Sequence, residues 1–130
     1  FDPEGQTGHP DHKAVSRWAT AAFHRAARPG ARLLHTATTA AFLDRWADLH
    51  EEFGVFVDGV PRPTAEEHLA VDLQLDAGQL DRKVRALRAQ ATQTDGIVGA
   101  VGPAAYAEWV AAEAFVEVAV AEVVDVLDGC

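Results

Sequence analysis

An α/β layer fold is predicted by three features of the sequence. Apolar residues recur at three- and four-residue spacing in some segments, which marks amphipathic helices. One run alternates strictly, which marks a strand with one wet face. The two kinds of segment then follow one another as helix–strand–helix–strand–helix. At 130 residues the chain is long enough to bury a core and is read as one domain or part of one.

Taken in order, Val15, Trp18, Ala19, Ala22, Phe23 and Ala26 line one face of a helix over 11–28. Asp11 is its expected N-cap and Pro29-Gly30 its terminator. ARLLHT, 31–36, is short and apolar, a buried strand. Thr38 or Thr39 caps a second helix that carries Phe42, Leu43, Trp46, Leu49 and Phe53 on one face and ends at Gly54. VDGVPRPTAEEH, 57–68, is a loop. In LAVDLQLD, 69–76, Leu69, Val71, Leu73 and Leu75 are expected to point to the core, and Ala70, Asp72, Gln74 and Asp76 to water. Leu80, Val84, Leu87 and Ala91 mark a third helix. A glycine-containing loop over 95–102 then leads into PAAYAEWVAAEAF, 103–115, a further helical stretch with Pro103 in its first turn. The tail VEVAVAEVVDVL, 116–127, has a strand's alternation, with a helix as the alternative. The tryptophans Trp18, Trp46 and Trp109 all fall on apolar faces and are expected in cores.

Composition narrows the function classes. Hydrophobic residues make up 48% and charged residues 24%, the balance of a soluble globular chain. No apolar run approaches the roughly 20 residues that span a bilayer, so no membrane span is expected. A formal charge of −9 with a pI near 4.9 argues against nucleic acid as a partner, because phosphate-binding surfaces need clustered Lys and Arg. The single cysteine, Cys130, excludes an internal disulfide and fits a cytoplasmic location. The absence of Met is read as the mark of a fragment or a processed product.

The chemistry concentrates in GHPDH, residues 8–12. Imidazole is the commonest metal ligand, and His9 and His12 lie three residues apart across Pro10 and Asp11. Proline between them puts the first histidine in an extended loop and the second near a helix start, so the two rings can serve different roles. Asp11 can hold either ring through an imidazole N–H. Spacing alone also allows a capped helix with surface histidines. Of the others, His24 is expected at the boundary of the first helix, His35 as a hydrogen-bonded core histidine, and His50 and His68 in solvent. Asp2 and Glu4 could line the mouth of the site, although acidic loop residues are usually just solvated.

The longer string FDPEGQTGHPDHKAVSRWATAAF resembles the second signature of the PIG-L/LmbE family of zinc-dependent N-acetylglucosaminyl deacetylases: an F-x-P-x-G loop, G-H-P-D-H, then an alanine-rich helix. LDRKVRALRAQATQT and YAEWVAAEAF are similar to downstream family segments, so the resemblance runs from Phe1 to about Phe115. It implies a Rossmann-like three-layer α/β/α fold and hydrolysis of the acetamide of an amino-sugar conjugate, a small-molecule substrate. By position it implies that His12 ligates Zn2+. His9 is the catalytic histidine that meets the oxyanion or assists the leaving amine, and Asp11 is the carboxylate that orients it. Gln90 stands where the family pattern has a histidine.

The family's first signature, A-H-P-D-D, is absent from these residues. It supplies the other zinc ligands and the general base. The chain is therefore expected to be the C-terminal part of a single deacetylase domain, with 1–12 its catalytic loop and 116–130 its tail. It is expected to lack the N-terminal half, to be inactive alone and to have an open sheet edge. A non-catalytic α/β interaction module that has lost the metal is the alternative, and a metal shared at a subunit interface is a third. Oligomeric state and the identity of the N-acetylated substrate are not encoded in any motif.

Overall fold

The computed structural model describes residues 1–118. The chain is a mixed α/β protein that divides into two compact units, Phe1–Val71 with the residues from Ala114 on, and Asp72–Glu113. Most of the tail pattern predicted over 116–127, and Cys130, lie outside the described residues.

The first unit opens with a four-residue turn of helix, α1 (Gly5–Gly8), followed by the long helix α2 (Pro10–Ala26). Proline at the first helical position and alanine-rich turns favour α2. It starts one residue earlier than predicted because His9, not Asp11, is the N-cap: the His9 ring accepts a hydrogen bond from the Asp11 N–H. Ala27 and the Pro29-Gly30 turn end it. The predicted apolar face is corrected by the packing. Ser16 and Thr20 are the buried residues of α2, while Val15 is exposed and Trp18 is 71% exposed. Strand β1 (Leu34–Thr36) follows, shorter than 31–36. His35 is buried in it as expected, with its Nε2 3.5 Å from Thr20 Oγ1.

Thr39 caps the next helix through its hydroxyl, which accepts from the Phe42 N–H. The single helix predicted here is two, α3 (Ala40–Arg45) and α4 (Ala47–Glu52), because Trp46 leaves helical geometry at φ −113°, ψ 17°. The Arg45 guanidinium sits 5.1 Å over the Trp46 ring. Leu43, Leu49 and His50 are buried. His50 had been assigned to solvent; instead its ring packs 5.4 Å from Phe42 and 4.8 Å, edge-on, from Phe56. The error comes from its neighbours Asp48, Glu51 and Glu52, which are exposed while His50 points inward.

Burial pushes the His50 imidazole below its ordinary pKa. The unfolded chain therefore binds the proton more readily than the folded one. The stability this confers is complete above the unfolded pKa, about 6.5, and is lost as pH falls through the folded value. Urea midpoints should accordingly drop between pH 7.5 and pH 4.5, values chosen as about one to two units either side of that reference. A His50→Phe variant should lose that part of the slope. Equal slopes in the two proteins would contradict this assignment.

A loop with one turn of 3₁₀ helix (Glu66–His68) leads to β2 (Val71–Gln74). His68 is exposed, as predicted. The sheet has the order β1-β3-β2, with β3 spanning Ala112–Glu117. In the β1–β3 pair, Leu34 faces Glu117, His35 faces Val116 and Thr36 faces Phe115, antiparallel. Arg32 and Glu117 form an ion pair at 2.7 Å beside this register. Leu73, predicted to face a core, is 50% exposed.

The second unit is helical between its strand segments from β2 and β3. Asp76 and Gln79 form a reciprocal capping box at the start of α5 (Ala77–Arg88). The glycine-containing loop predicted over 95–102 is instead α6 (Ala91–Val101). Thr94 and Val98, one turn apart, are buried, and that burial outweighs the cost of Gly96 and Gly99, about 1 kcal/mol each relative to alanine. Helix α7 (Pro103–Trp109) begins at Pro103 as predicted, but stops before Ala112; AEAFVE is the strand β3. Tyr106 is buried, 6.0 Å and edge-on from Trp109, and Lys83 pairs with Glu113 at 2.7 Å.

The α/β class is thus as predicted. The described strands pair antiparallel, which differs from the parallel arrangement a Rossmann-like sheet requires.

Candidate functional site

The loop that carries the histidines is held by its own backbone. The Gly5 N–H donates to the Asp2 carbonyl at 3.0 Å, and the Gln6 N–H donates to Asp2 Oδ1 at 2.6 Å. Gln6 has φ 57°, a left-handed conformation uncommon for a residue with a side chain. Gly5 and Gly8 flank it with φ 73° and 80°. At Gly8 a Cβ would lie 2.9 Å from the Asp58 backbone N, and at Gly5 3.0 Å from Lys13 N and 3.1 Å from His12 Cβ. These two positions require glycine for both reasons.

The loop gives the two imidazoles opposite protonation patterns. His12 Nδ1 lies 3.1 Å from the Gly5 carbonyl oxygen and 3.0 Å from Thr7 Oγ1. A carbonyl can only accept, so Nδ1 carries the proton and the neutral ring keeps its lone pair on Nε2. His9 is the reverse. Its Nδ1 accepts from the Asp11 N–H at 3.2 Å, so the neutral ring carries its proton on Nε2. The ring centroids are 5.2 Å apart, and Phe1 stacks on His12 at 4.0 Å with the planes 7° apart. The structure therefore brings His9 and His12 together, one with a donor at Nε2 and the other with a lone pair there.

Asp11 is placed differently from its expected role. Its carboxylate is 88% exposed and 4.0 Å from His9 Nδ1, beyond hydrogen-bond distance. What orients His9 is the Asp11 backbone. Asp11→Asn leaves that N–H unchanged and is accordingly expected to keep the His9 ring protonated at Nε2, as read from imidazole ¹⁵N shifts; a change of tautomer in the variant would return the orienting role to the carboxylate.

Two contributors were not apparent from sequence pattern. Thr7 completes the His12 Nδ1 environment, and Asp58, from the loop read only as irregular, closes against Gly8. The Val57 N–H donates to the Thr7 carbonyl at 2.7 Å, and Asp58 accepts from Lys13 Nζ in an ion pair. That bond raises the Lys13 ammonium above its ordinary pKa. A cavity of about 480 Å³ opens beside this junction, lined by Asp2, Glu4, Gly8, Asp58 and Arg62 among others. Asp2 and Glu4 thus line this cavity, while His9 and His12 do not.

The fit to a metal can be judged from these donors. His12 fits as one ligand, because its free lone pair is fixed by a main-chain oxygen on the other nitrogen, the usual outer-shell arrangement. Among the described residues no group of three or more His, Cys, Asp or Glu side chains could hold a metal ion. A catalytic zinc takes three protein donors. Among the described residues no helix is long and apolar enough to cross a membrane. No family model, curated protein or solved structure matches the chain.

Proposed function

We propose that the chain belongs to a zinc-dependent N-deacetylase acting on an amino-sugar conjugate, with His12 as a zinc ligand and His9 as the electrophilic catalyst. The reading carries with it a Rossmann-like three-layer domain whose central parallel strands would lie outside these residues, with two further zinc donors and a general base supplied by a His-Pro-Asp-Asp motif there. The observation that supports it best is the opposite tautomers of His9 and His12. The His9 bond is that of a helix N-cap, but a capped helix does not require the His12 Nδ1 to be tied to the Gly5 carbonyl.

Zinc, when bound, polarises the amide carbonyl and lowers the pKa of a bound water. The residues of this chain contribute one zinc donor and the group that meets the oxyanion. The Gly5 carbonyl and Thr7 hold the His12 ring at Nδ1 and leave the Nε2 lone pair as its metal-binding atom. His9, neutral and protonated at Nε2, donates a hydrogen bond to the acetamide oxygen as negative charge gathers on it. Passing a proton to the leaving amine would require an imidazolium, whose Nδ1–H is incompatible with the Asp11 N–H bond. The geometry therefore favours oxyanion stabilisation over proton delivery. The carboxylates of Asp2, Glu4 and Asp58 provide hydrogen-bond acceptors for sugar hydroxyls at the cavity mouth.

The test is release of acetate from N-acetylglucosamine conjugates by the intact protein, with bound zinc quantified in parallel. Acetate release that is lost on chelation and restored by zinc supports the reading. A zinc-free protein with no hydrolysis at saturating metal would leave the non-catalytic interaction module.

A further inference from the structure

Helix α2 buries its polar side and leaves its apolar side uncovered. Ser16 and Thr20 are buried, whereas Val15, Trp18, Ala19 and Ala22 are exposed. Asp11, Val15, Trp18, Ala22 and Arg25 are all exposed and follow one another at spacings of four, three, four and three. That spacing puts all five on one seam of the helix, the pattern with which helices pack side by side.

The seam is complementary to itself when read backwards. A twofold axis through Trp18 sets Asp11 of one copy opposite Arg25 of the other, and brings Val15 within one residue's rise of Ala22, on both sides of the axis. Opposite charges meet at the two ends. A large side chain meets a small one in between, and Ala19 leaves room beside the two central indoles. Arg25 pairs with no carboxylate among the described residues, and Asp11 has only the distant His9 ring. Parallel pairing would instead set like charges against each other at both ends. The pattern selects a second copy in antiparallel orientation.

We propose that α2 is the contact helix of a symmetric dimer of this chain, antiparallel and centred on Trp18. The helix is 17 residues, about 25 Å, long. One such seam buries less than the roughly 800 Å² per partner of a standard interface, so the dimer is weak and concentration-dependent. Its seam begins at Asp11, next to His12, and brings Arg25 of the second copy to the edge of the candidate site. On the deacetylase reading the rest of that domain is a competing cover for the seam, and the quenching measurement below separates the two.

Sedimentation equilibrium of the intact protein over a micromolar-to-submillimolar series tests it. The expected result is a reversible monomer–dimer equilibrium. Trp18→Glu should weaken it by at least about tenfold, as should Arg25→Glu, with Asp11→Arg added to Arg25→Glu recovering most of the loss. Far-UV circular dichroism checks that each variant keeps its helices; Trp18 is already 71% exposed in the single copy, so its replacement leaves the fold intact. Monomer at every concentration overturns the proposal, as does a dimer whose dissociation constant Trp18→Glu does not move. A monomer in which iodide fails to quench Trp18 also overturns it, and shows that another part of the protein covers the seam.

Discussion

His12→Ala is expected to remove bound zinc and amide hydrolysis together, whereas His9→Ala is expected to retain the zinc and lose turnover by about 10²- to 10³-fold. The asymmetry follows from the protonation patterns. The His12 ring is clamped at Nδ1 by the Gly5 carbonyl at 3.1 Å and Thr7 at 3.0 Å, which leaves a basic nitrogen for a cation. The His9 ring accepts a backbone N–H at Nδ1 and has only a donor to offer. A donor cannot hold a metal but can stabilise an oxyanion. Metal content by mass spectrometry, beside kcat for both variants, separates the two roles. Loss of zinc from both, or from neither, would show that the rings are not differentiated in this way.

Gly8→Ala is expected to destabilise the first unit by about 2 to 5 kcal/mol. Left-handed backbone in a residue with a Cβ costs roughly 1–2 kcal/mol, and an overpacked contact adds about 1–3. The new Cβ would lie 2.9 Å from the Asp58 backbone N, and backbone cannot swing aside as a side-chain tip does. Gly30 provides the control. It has φ +83° with nothing within 4 Å, so Gly30→Ala incurs only the backbone cost. Urea unfolding of the two variants should therefore differ by the contact contribution. If they are equally destabilised, the 57–58 segment does not close on the histidine loop.

Local rules carried much of the fold. Pro10 and the alanine-rich turns after it mark α2, Thr39 marks the start of α3, and Pro103 marks α7. What they missed depends on packing. The α2 face was read from apolar spacing, yet the side that packs inward holds Ser16 and Thr20 with His35 bonded to Thr20. Periodicity reports that a helix has two sides and not which of them its own chain covers. Gly96 and Gly99 suggested a loop, and the burial of Thr94 and Val98 overrode them. AEAF, 112–115, reads as a continuation of α7 until the pairing of β3 with β1 makes it part of a strand. Charged neighbours disguised His50 in the same way.

The site was legible where it is local. Glycines, proline and histidines within 5–12 define a loop and a helix start, and backbone bonds over that span hold both rings. The contributions of Thr7 and Asp58 were not legible, because a hydroxyl's partner and a contact 50 residues away along the chain leave no pattern in sequence. Nor was the detachment of the Asp11 carboxylate from His9, which turns on a distance of 4.0 Å where a hydrogen bond needs about 3.

The most direct measurement is the tautomer of His12 in the metal-free intact protein, read from long-range ¹H–¹⁵N correlations of the imidazole and followed through a zinc titration. The account predicts a ring protonated at Nδ1 with Nε2 unprotonated, and a stoichiometric zinc-dependent shift centred on Nε2. A ring protonated at Nε2, or a titration that leaves the His12 nitrogens unmoved, would contradict it.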